Sequence, residues 1–200
     1  MVSDTNIAEG MAALADIDPV FAAALAQYGL PAARERARGY VALLRVIVGQ
    51  QLSTASAESI WRRLGASVAD INRPEEILAL SPQELRSIGL SSQKIAYVHS
   101  LASHVLRGDL SLDTLPADDE EAIRMISAVH GLGRWSAEIY LLLAEGRADI
   151  FPAGDLAVRL FPELGERPAE ATLRRHAESW RPWRGVAAIF FWHCYRIQPL

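Results

Sequence analysis

The sequence is short of cysteine, of long apolar runs and of an N-terminal basic segment, and each shortage excludes a class of protein. Its one cysteine, Cys194, cannot form an intramolecular disulfide, nor can it supply a four-thiolate iron–sulfur or zinc site. No stretch approaches the roughly 18 unbroken apolar residues that a membrane span requires. Residues 1–10 contain two acids and no base, unlike a secretory signal, so we expect a cytoplasmic protein that is not bound to a membrane.

Positive charge is also scarce, but its distribution leaves nucleic-acid binding open. The 20 Lys and Arg residues face 24 Asp and Glu residues, which gives a net charge of −4. The segments 1–30 and 111–121 contain acids and no base, so both remaining segments carry a small positive excess. A locally basic face is therefore compatible with the composition. Every basic residue except Lys94 is an arginine.

The sequence does contain helical periodicity along nearly its whole length, without alternating strand patterns. Gly29 and Gly65 are stop signals, and Ser81–Glu84 is a capping box. We therefore expect an all-α fold, with helices over 18–28, 40–48, 54–64, 118–129 and 134–144. Its core is expected to include Trp61, Tyr140 and Phe191.

The predicted helices form two lobes, with a boundary at Leu110–Pro116. The first lobe is expected at about 40–115. The second is expected at about 116–200, together with an N-terminal helix at about 1–35. Both lobes belong to a single domain, since no low-complexity linker separates them.

A helical hairpin is predicted around His130–Gly133, and residues 88–95 repeat its pattern weakly. Each segment predicts a short helix, a turn led by Gly-Leu and a second helix. Two ordinary helix–turn–helix corners would give the same pattern, so the repeat has two interpretations. Gly131 and Gly133 allow the backbone to approach a partner closely. Free N–H groups at the start of the second helix can bind a phosphate. Turn carbonyls can hold Na⁺ or K⁺, and the candidates are those of Ser127, Val129 and Leu132.

An acidic residue follows the hairpin in a stiff loop, Phe151–Asp155, which contains Pro152 and Gly154. Asp155 then begins the next predicted helix. On local sequence alone it fits two roles, a helix N-cap and a functional carboxylate.

Five segments in register resemble the helix–hairpin–helix DNA glycosylase superfamily, and most closely the short form of its 3-methyladenine DNA glycosylase II family. They cover roughly residues 35–200, and they are Val48–Ser53, Gly89–Ser91 with Lys94, His130–Ala137, Phe151–Asp155 and Arg181–Arg184. The resemblance implies a two-lobed all-α fold with the active site in the cleft between the lobes. It also implies base excision repair of double-stranded DNA by hydrolysis of the bond between an alkylated base and its sugar.

The resemblance assigns roles to individual residues. Asp155 is the implied catalytic carboxylate, and Trp135 and Trp192 are the implied walls of an aromatic base pocket. Gln51 and Leu52 are the implied residues that enter the duplex when the base is flipped out. The implied DNA contacts are Gln50, Gln51, Leu52, Ser53, Gly89, Ser91, Lys94, Gly131, Gly133, Arg134, Trp135 and Ser136.

Catalysis by one carboxylate is chemically sufficient for this reaction. Breaking an N-glycosidic bond develops positive charge on the sugar, which a fixed carboxylate stabilises. Relatives that also cut the strand use a lysine at the start of the second hairpin helix, where this sequence has Trp135. We therefore expect a monofunctional enzyme that requires no cofactor, acts as a monomer and is associated with the nucleoid.

Other functions stay open at this stage. A non-catalytic DNA-binding module would keep the hairpin but would have no use for Asp155. A glycosylase for oxidised or mismatched bases would share the fold, and a purely structural helical protein would need neither feature. The sequence leaves the preferred lesion undecided among 3-methyladenine, 7-methylguanine, ethenoadenine and hypoxanthine.

Overall fold

The computed structural model describes residues 3–33, 37–161 and 167–197. Within these ranges every regular element is a helix and none is a strand, which confirms the predicted all-α class. No helix in them has the length and apolar character needed to cross a membrane. The chain forms two compact units, one made of 37–137 and the other of 1–36 with 138–200.

The division between the units lies at residues 137 and 138, whereas the sequence analysis placed it at Leu110–Pro116. Residues 116–137 therefore group with the segment that precedes them. The reason is that the hairpin turn is bonded to that segment, since the Gln50 side-chain amide donates to the Gly131 carbonyl at 2.9 Å. The division also falls inside a helix, Arg134–Leu143, rather than in a loop.

The 37–137 unit is built around one long helix that packs against three others, two of them most extensively. Its helices are α3 Tyr40–Gly49, α4 Thr54–Ala66, α5 Pro74–Ala79, α6 Pro82–Ile88, α7 Ser92–Leu106, α8 Asp119–Ser127 and the start of α9 Arg134–Leu143. Helix α7 packs against α3 and α5. Its buried face carries Ile95, Val98, Leu101 and Ala102, at the spacing of one side of a helix.

Local signals mark several helix ends in this unit. Ser81 and Glu84 form the predicted capping box, whose hydrogen bonds from Ser81 hold the pKa of Glu84 below its usual value. Helix α6 then ends at Gly89, which has a φ of 111°. The predicted stop at Gly65 is wrong, because α4 continues through it to Ala66. Glycine permits a left-handed helix end without requiring one.

The other unit contains α1 Asp4–Ile17, α2 Pro19–Tyr28, the rest of α9, α10 Leu156–Arg159, α11 Glu170–His176, a 3₁₀ turn and α12 Arg184–Ile197. Helix α1 packs against α2 and α12. A Cβ on Gly10 would lie 2.8 Å from the Trp183 ring and 2.9 Å from Val186, so glycine allows α1 to approach this closely. The core is aromatic, and its stacked pair Phe161 and Phe191 has ring centroids 4.3 Å apart.

Two of the three aromatic residues assigned to the core lie there. Tyr140 and Phe191 are 2% and 0% exposed. Trp61 is only half-buried, which corrects the prediction. Its ring instead carries the Arg45 guanidinium, 5.2 Å from the ring centroid, so that part of its surface is covered by a cation rather than by core.

Candidate functional site

Asp155 is held in place by three hydrogen bonds to one of its carboxylate oxygens. As the N-cap of α10, its Oδ1 accepts from the backbone N–H groups of Ala157 at 3.0 Å and Val158 at 3.2 Å. The same oxygen accepts from the indole Nε1 of Trp192, on α12, at 2.9 Å. The two roles that the local sequence left open are therefore compatible, because the helix cap also orients the carboxylate.

The aspartate loop, Phe151–Asp155, is anchored to an ion pair. Arg174 on α11 donates to the carbonyl of Phe151 at 3.3 Å and to the carboxylate of Glu138 at 2.8 Å. The Glu138 side chain is 2% exposed, so the pair is largely shielded from water. Arg174 also contacts Glu170 at 3.0 Å. The backbone that carries Asp155 is thus fixed by charge as well as by apolar packing.

Glu138 and Arg174 are functional-site residues that were not predicted from the sequence. The available signal was an acid at a core position, since Glu138 lies in the run Ala137–Leu143, which is otherwise apolar or aromatic. An acid on such a face almost never stays buried without a partner. The identity of that partner, 36 residues away in the chain, has no local signature.

The helical hairpin forms as predicted, between α8 and α9. Gly131 has a φ of 94°, and a Cβ there would lie 2.1 Å from Cγ of Tyr97, so only glycine fits beneath that ring. Leu132 is 3% exposed and fills the hairpin interior. A Cβ on Gly133 would meet nothing within 4 Å, which leaves the start of α9 accessible.

The weak internal repeat corresponds to two turns of the same design. Gly89 and Gly131 both have positive φ, and the leucine that follows each is 2% and 3% exposed. In both cases the next helix begins three residues after the glycine, at Ser92 and Arg134. The 37–137 unit therefore contains two Gly-Leu turns that each open onto the N-terminus of a helix.

Side chains at the start of α9 differ in accessibility. Trp135 is 38% exposed, and Ser136 is 3% exposed. Arg134 forms a two-pronged ion pair with Glu120 in the first turn of α8, with one contact at 2.8 Å. Among the predicted contacts here, the ring of Trp135 and the backbone of α9 are the groups best placed to meet a partner.

The three carbonyls proposed for a cation lie around the hairpin turn. That of Val129 accepts a hydrogen bond from Leu132 N–H at 3.0 Å. The Ser127 hydroxyl is buried and has no partner within the described ranges. Oxygen donors suit a hard cation such as Na⁺ or K⁺, so the chemistry of the donor set fits. No cluster of three or more His, Cys, Asp or Glu side chains suited to a metal occurs in those ranges.

The 50–53 loop, Gln50–Ser53, joins α3 to α4 and exposes its middle. Gln51 is exposed and has a φ of 54°, the one positive φ of a non-glycine residue in the described part of the chain. Leu52 is 39% exposed. Ser53 caps α4, since its Oγ accepts from Ser56 N–H at 3.3 Å. The loop therefore presents two uncovered side chains at its tip.

Two predicted DNA contacts point into the protein. Lys94 Nζ donates to the carbonyl of Val48 at 2.6 Å, and burial lowers the pKa of this ammonium. Gln50 Nε2 donates to the Gly131 carbonyl. The hydroxyl of Ser91 is used to cap α7, where it accepts from Lys94 N–H at 3.3 Å.

Comparisons with known proteins agree with the motifs. Residues 44–182 match the family described as HhH-GPD superfamily base excision DNA repair protein. DNA-3-methyladenine glycosylase 2 of Escherichia coli is 31% identical over 167 residues, which are 78% of this chain and 57% of that protein. DNA-3-methyladenine glycosylase 1 of Schizosaccharomyces pombe is 28% identical over 171 residues, 82% of this chain and 75% of that protein.

A solved structure gives the same result for the fold. The 3-methyladenine DNA glycosylase of S. pombe in complex with abasic DNA superposes with a TM-score of 0.82 at 25% identity. The match covers 95% of this chain and 98% of that one. This chain thus spans nearly all of the yeast structure, but little more than half the length of the E. coli relative.

Proposed function

This chain belongs to the HhH-GPD superfamily of base excision DNA repair proteins, and from that premise we propose that it is a monofunctional glycosylase for alkylated bases in double-stranded DNA. The observation that carries the proposal is the Asp155 carboxylate, one oxygen of which is fixed by three donors at the head of α10. The bases proposed are of the 3-methyladenine and 7-methylguanine type, of which the names of the relatives include 3-methyladenine.

The proposed chemistry depends on a carboxylate whose orientation is fixed by hydrogen bonds. As the bond between base and sugar breaks, positive charge develops on the sugar ring, and the Asp155 carboxylate stabilises it. It also orients or deprotonates the attacking water. An alkylated purine is already cationic and leaves as a neutral base. One carboxylate therefore suffices without a second acid to protonate the leaving group.

The absence of a lysine nucleophile supports hydrolysis without strand cleavage. Lyase chemistry needs an amine that forms a Schiff base with the sugar. The second residue of α9 is Trp135, and the one lysine of the sequence, Lys94, has its ammonium on the Val48 carbonyl. We expect the product to be an abasic site in an intact strand.

The proposed DNA contacts are of two kinds, contacts to the DNA phosphates and the insertion of a side chain into the duplex. We assign the phosphate contacts to backbone N–H groups at the starts of α7 and α9, which follow the two Gly-Leu turns, and such contacts do not read sequence. The N–H groups of Gly89, Leu90 and Leu132 within the turns donate to carbonyls of the protein. The 50–53 loop opens the duplex, with Ser53 beside the minor groove. We assign the inserted side chain to Gln51, because a strained left-handed residue that is exposed at a loop tip marks a functional position. Leu52 then covers the opposite face of the gap.

Aromatic rings attract a flat cation, so the side chains proposed to contact the base are those of Trp135 and Trp192. Trp135 contributes an accessible ring at the start of α9. Trp192 contributes its ring beside Asp155, while its indole N–H orients the carboxylate. When a monovalent cation is bound, the carbonyls of Ser127, Val129 and Leu132 would hold it, and it would supply positive charge for a DNA phosphate.

Release of methylated base tests the proposal directly. Wild-type protein should release free 3-methyladenine from methylated DNA, and Asp155→Asn should be slower by about a thousandfold or more. Asparagine caps helices as well as aspartate does, so the variant should stay folded. Asp113→Asn removes an exposed acid and serves as the matched control, with unchanged release.

Each negative outcome has a separate meaning. Release by Asp155→Asn at the wild-type rate would show that Asp155 is not the catalyst. Release by neither protein would overturn the alkylated-base assignment. Gel filtration tests the proposed monomer. The proposed location, cytoplasmic and associated with the nucleoid, follows from the substrate and is tested by its co-sedimentation with chromosomal DNA.

A further inference from the structure

The 50–53 loop has few hydrogen bonds of its own at its tip. Two backbone hydrogen bonds link it to the helix end before it, from Gln50 N–H to the Ile47 carbonyl at 3.2 Å and from Leu52 N–H to the Gly49 carbonyl at 3.3 Å. Gln51 occupies the left-handed region, which side chains other than glycine rarely adopt. A strained conformation persists only where its surroundings impose it. Contacts from outside the loop must therefore keep Gln51 in place.

The first such contact is made by Lys94 from the first turn of α7. Its Nζ lies 2.6 Å from the carbonyl of Val48, next to the last residue of α3. Carbonyls in the last turn of a helix have no partner within the helix. An ammonium there also meets the negative end of the helix dipole. Because Lys94 is half-buried, water competes weakly for this hydrogen bond.

The second contact joins Gln50, the first residue of the loop, to the hairpin turn. Its Nε2 donates to the Gly131 carbonyl at 2.9 Å, 81 residues away in the chain. That carbonyl is itself immobilised, because the Tyr97 ring occupies the space where a Gly131 side chain would be. Gln93 fixes the ring in turn through the Tyr97 hydroxyl, at 2.5 Å. The loop is thus tied to the hairpin turn on one side and to α7 on the other.

We propose that Lys94 and Gln50 are positioning residues that brace the 50–53 loop so that Gln51 and Leu52 are presented to DNA, and that neither side chain is a phosphate contact. The proposal concerns the loop assigned to insertion above, so its link to DNA rests on the proposed function. Both polar ends point at main-chain carbonyls of the protein. A loop held ready in this way loses less freedom when it enters the duplex.

The brace is tested first in the absence of DNA. Lys94→Met and Gln50→Met each keep an unbranched side chain of similar length and remove the donor. Amide hydrogen exchange over residues 48–54 should be about tenfold faster in each variant, since a hydrogen bond to a helix end or to the hairpin is lost. Exchange in α5 should not change. Arg62→Met removes an exposed cation from α4 and should leave exchange at wild-type rates.

The same variants then separate a brace from a phosphate contact. Removing a lysine that neutralises one phosphate lowers the slope of log K against log salt by about 0.9. We expect an unchanged slope in Lys94→Met, with about a tenfold smaller flipped fraction reported by 2-aminopurine beside the lesion. A slope lowered by 0.9 in Lys94→Met would overturn the proposal.

The outcomes also separate this proposal from the proposed function. Unchanged exchange over 48–54 in both variants overturns the brace, whatever happens with DNA. Faster exchange, together with wild-type protein that neither binds nor flips damaged DNA, supports the brace and refutes the glycosylase. If Lys94→Met does not fold, Gln50→Met still tests the brace, because it removes the hydrogen bond to the Gly131 carbonyl and leaves the half-buried lysine in place.

Discussion

The two loops that carry the proposed chemistry are held by opposite means. The aspartate loop is fixed by a shielded ion pair, Arg174 with Glu138, and by three donors on one oxygen of Asp155. The 50–53 loop has an exposed tip, and two side-chain hydrogen bonds to main-chain carbonyls tie its N-terminal side to α7 and to the hairpin turn. The aspartate loop is therefore held both at Phe151 and at the Asp155 carboxylate itself. The 50–53 loop is held only where it meets α3 and the hairpin turn, and its exposed tip lies outside these contacts.

The difference matches what each loop is proposed to do. A carboxylate that stabilises a developing charge is most effective when it does not have to reorganise. A side chain that enters the duplex has to exchange protein and water contacts for contacts with bases, so a heavily bonded loop would resist insertion. Elements that move on binding are drawn from the less stable parts of a structure. The comparison therefore predicts unequal sensitivity to substitution.

The largest effect is expected at the ion pair of the aspartate loop. Arg174→Met removes a cation that pairs with the buried Glu138 carboxylate and removes the donor to Phe151. The free energy of unfolding should fall by about 3 kcal/mol, at the lower end for buried pairs because the Arg174 side chain is 28% exposed. Urea unfolding measures this. Adding Glu138→Gln should restore at least half of the loss, since no buried charge remains.

An exposed ion pair in the other unit supplies the control. Arg107 and Asp109 are 2.7 Å apart but are 57% and 50% exposed. Arg107→Met should lower the free energy of unfolding by no more than about 1 kcal/mol. Equal losses in Arg174→Met and Arg107→Met would mean that solvent screens both pairs, and the contrast between the two loops would be lost.

The next effect concerns the hairpin to which the 50–53 loop is tied. Gly131→Ala places a Cβ 2.1 Å from the Tyr97 ring at a φ of 94°. Crowding and the disfavoured φ should together lower the free energy of unfolding by about 2–3 kcal/mol. Gly133→Ala meets neither obstacle and should stay within about 0.5 kcal/mol of wild type. Similar losses in the two variants would show that Tyr97 moves aside easily.

Short-range features of the fold could be predicted because they depend on neighbours in the chain. The Ser81–Glu84 box and the helix end at Gly29 are both satisfied within one turn of helix. Gly65 shows the limit of such signals, since it lies inside α4. A residue that permits a helix end marks one only when the following residues cannot continue the helix.

For the candidate site, the sequence predicted which residues take part but not which groups they contact. The resemblance identified Asp155, Trp192 and Lys94 without indicating that the indole meets the carboxylate or that the ammonium meets a carbonyl. These pairs are 37 and 46 residues apart in the chain, and spacing alone carries no information on such distances. A basic or polar residue in a DNA-binding motif was therefore assigned to DNA, although its partner lies within the protein.

The smallest effect, and the most diagnostic, is expected from the indole that donates to Asp155. Trp192→Phe keeps an aromatic ring and removes one hydrogen bond to the carboxylate. We expect kcat to fall about tenfold, as for the loss of one donor to a charged group, with KM nearly unchanged. Steady-state release of methylated base over a range of DNA concentrations measures both constants.

Trp180→Phe is the matched control, because it makes the same chemical change in the same unit. Trp180 is 1% exposed, and its indole nitrogen has no partner among the described residues. Phenylalanine there should lower stability through lost packing while kcat of the folded protein stays the same. Equal falls in kcat would assign the effect to packing. A raised KM with unchanged kcat in Trp192→Phe would mean that Trp192 holds the base but does not orient the carboxylate. The hydrogen bond from the indole to Asp155 would then have no role in catalysis.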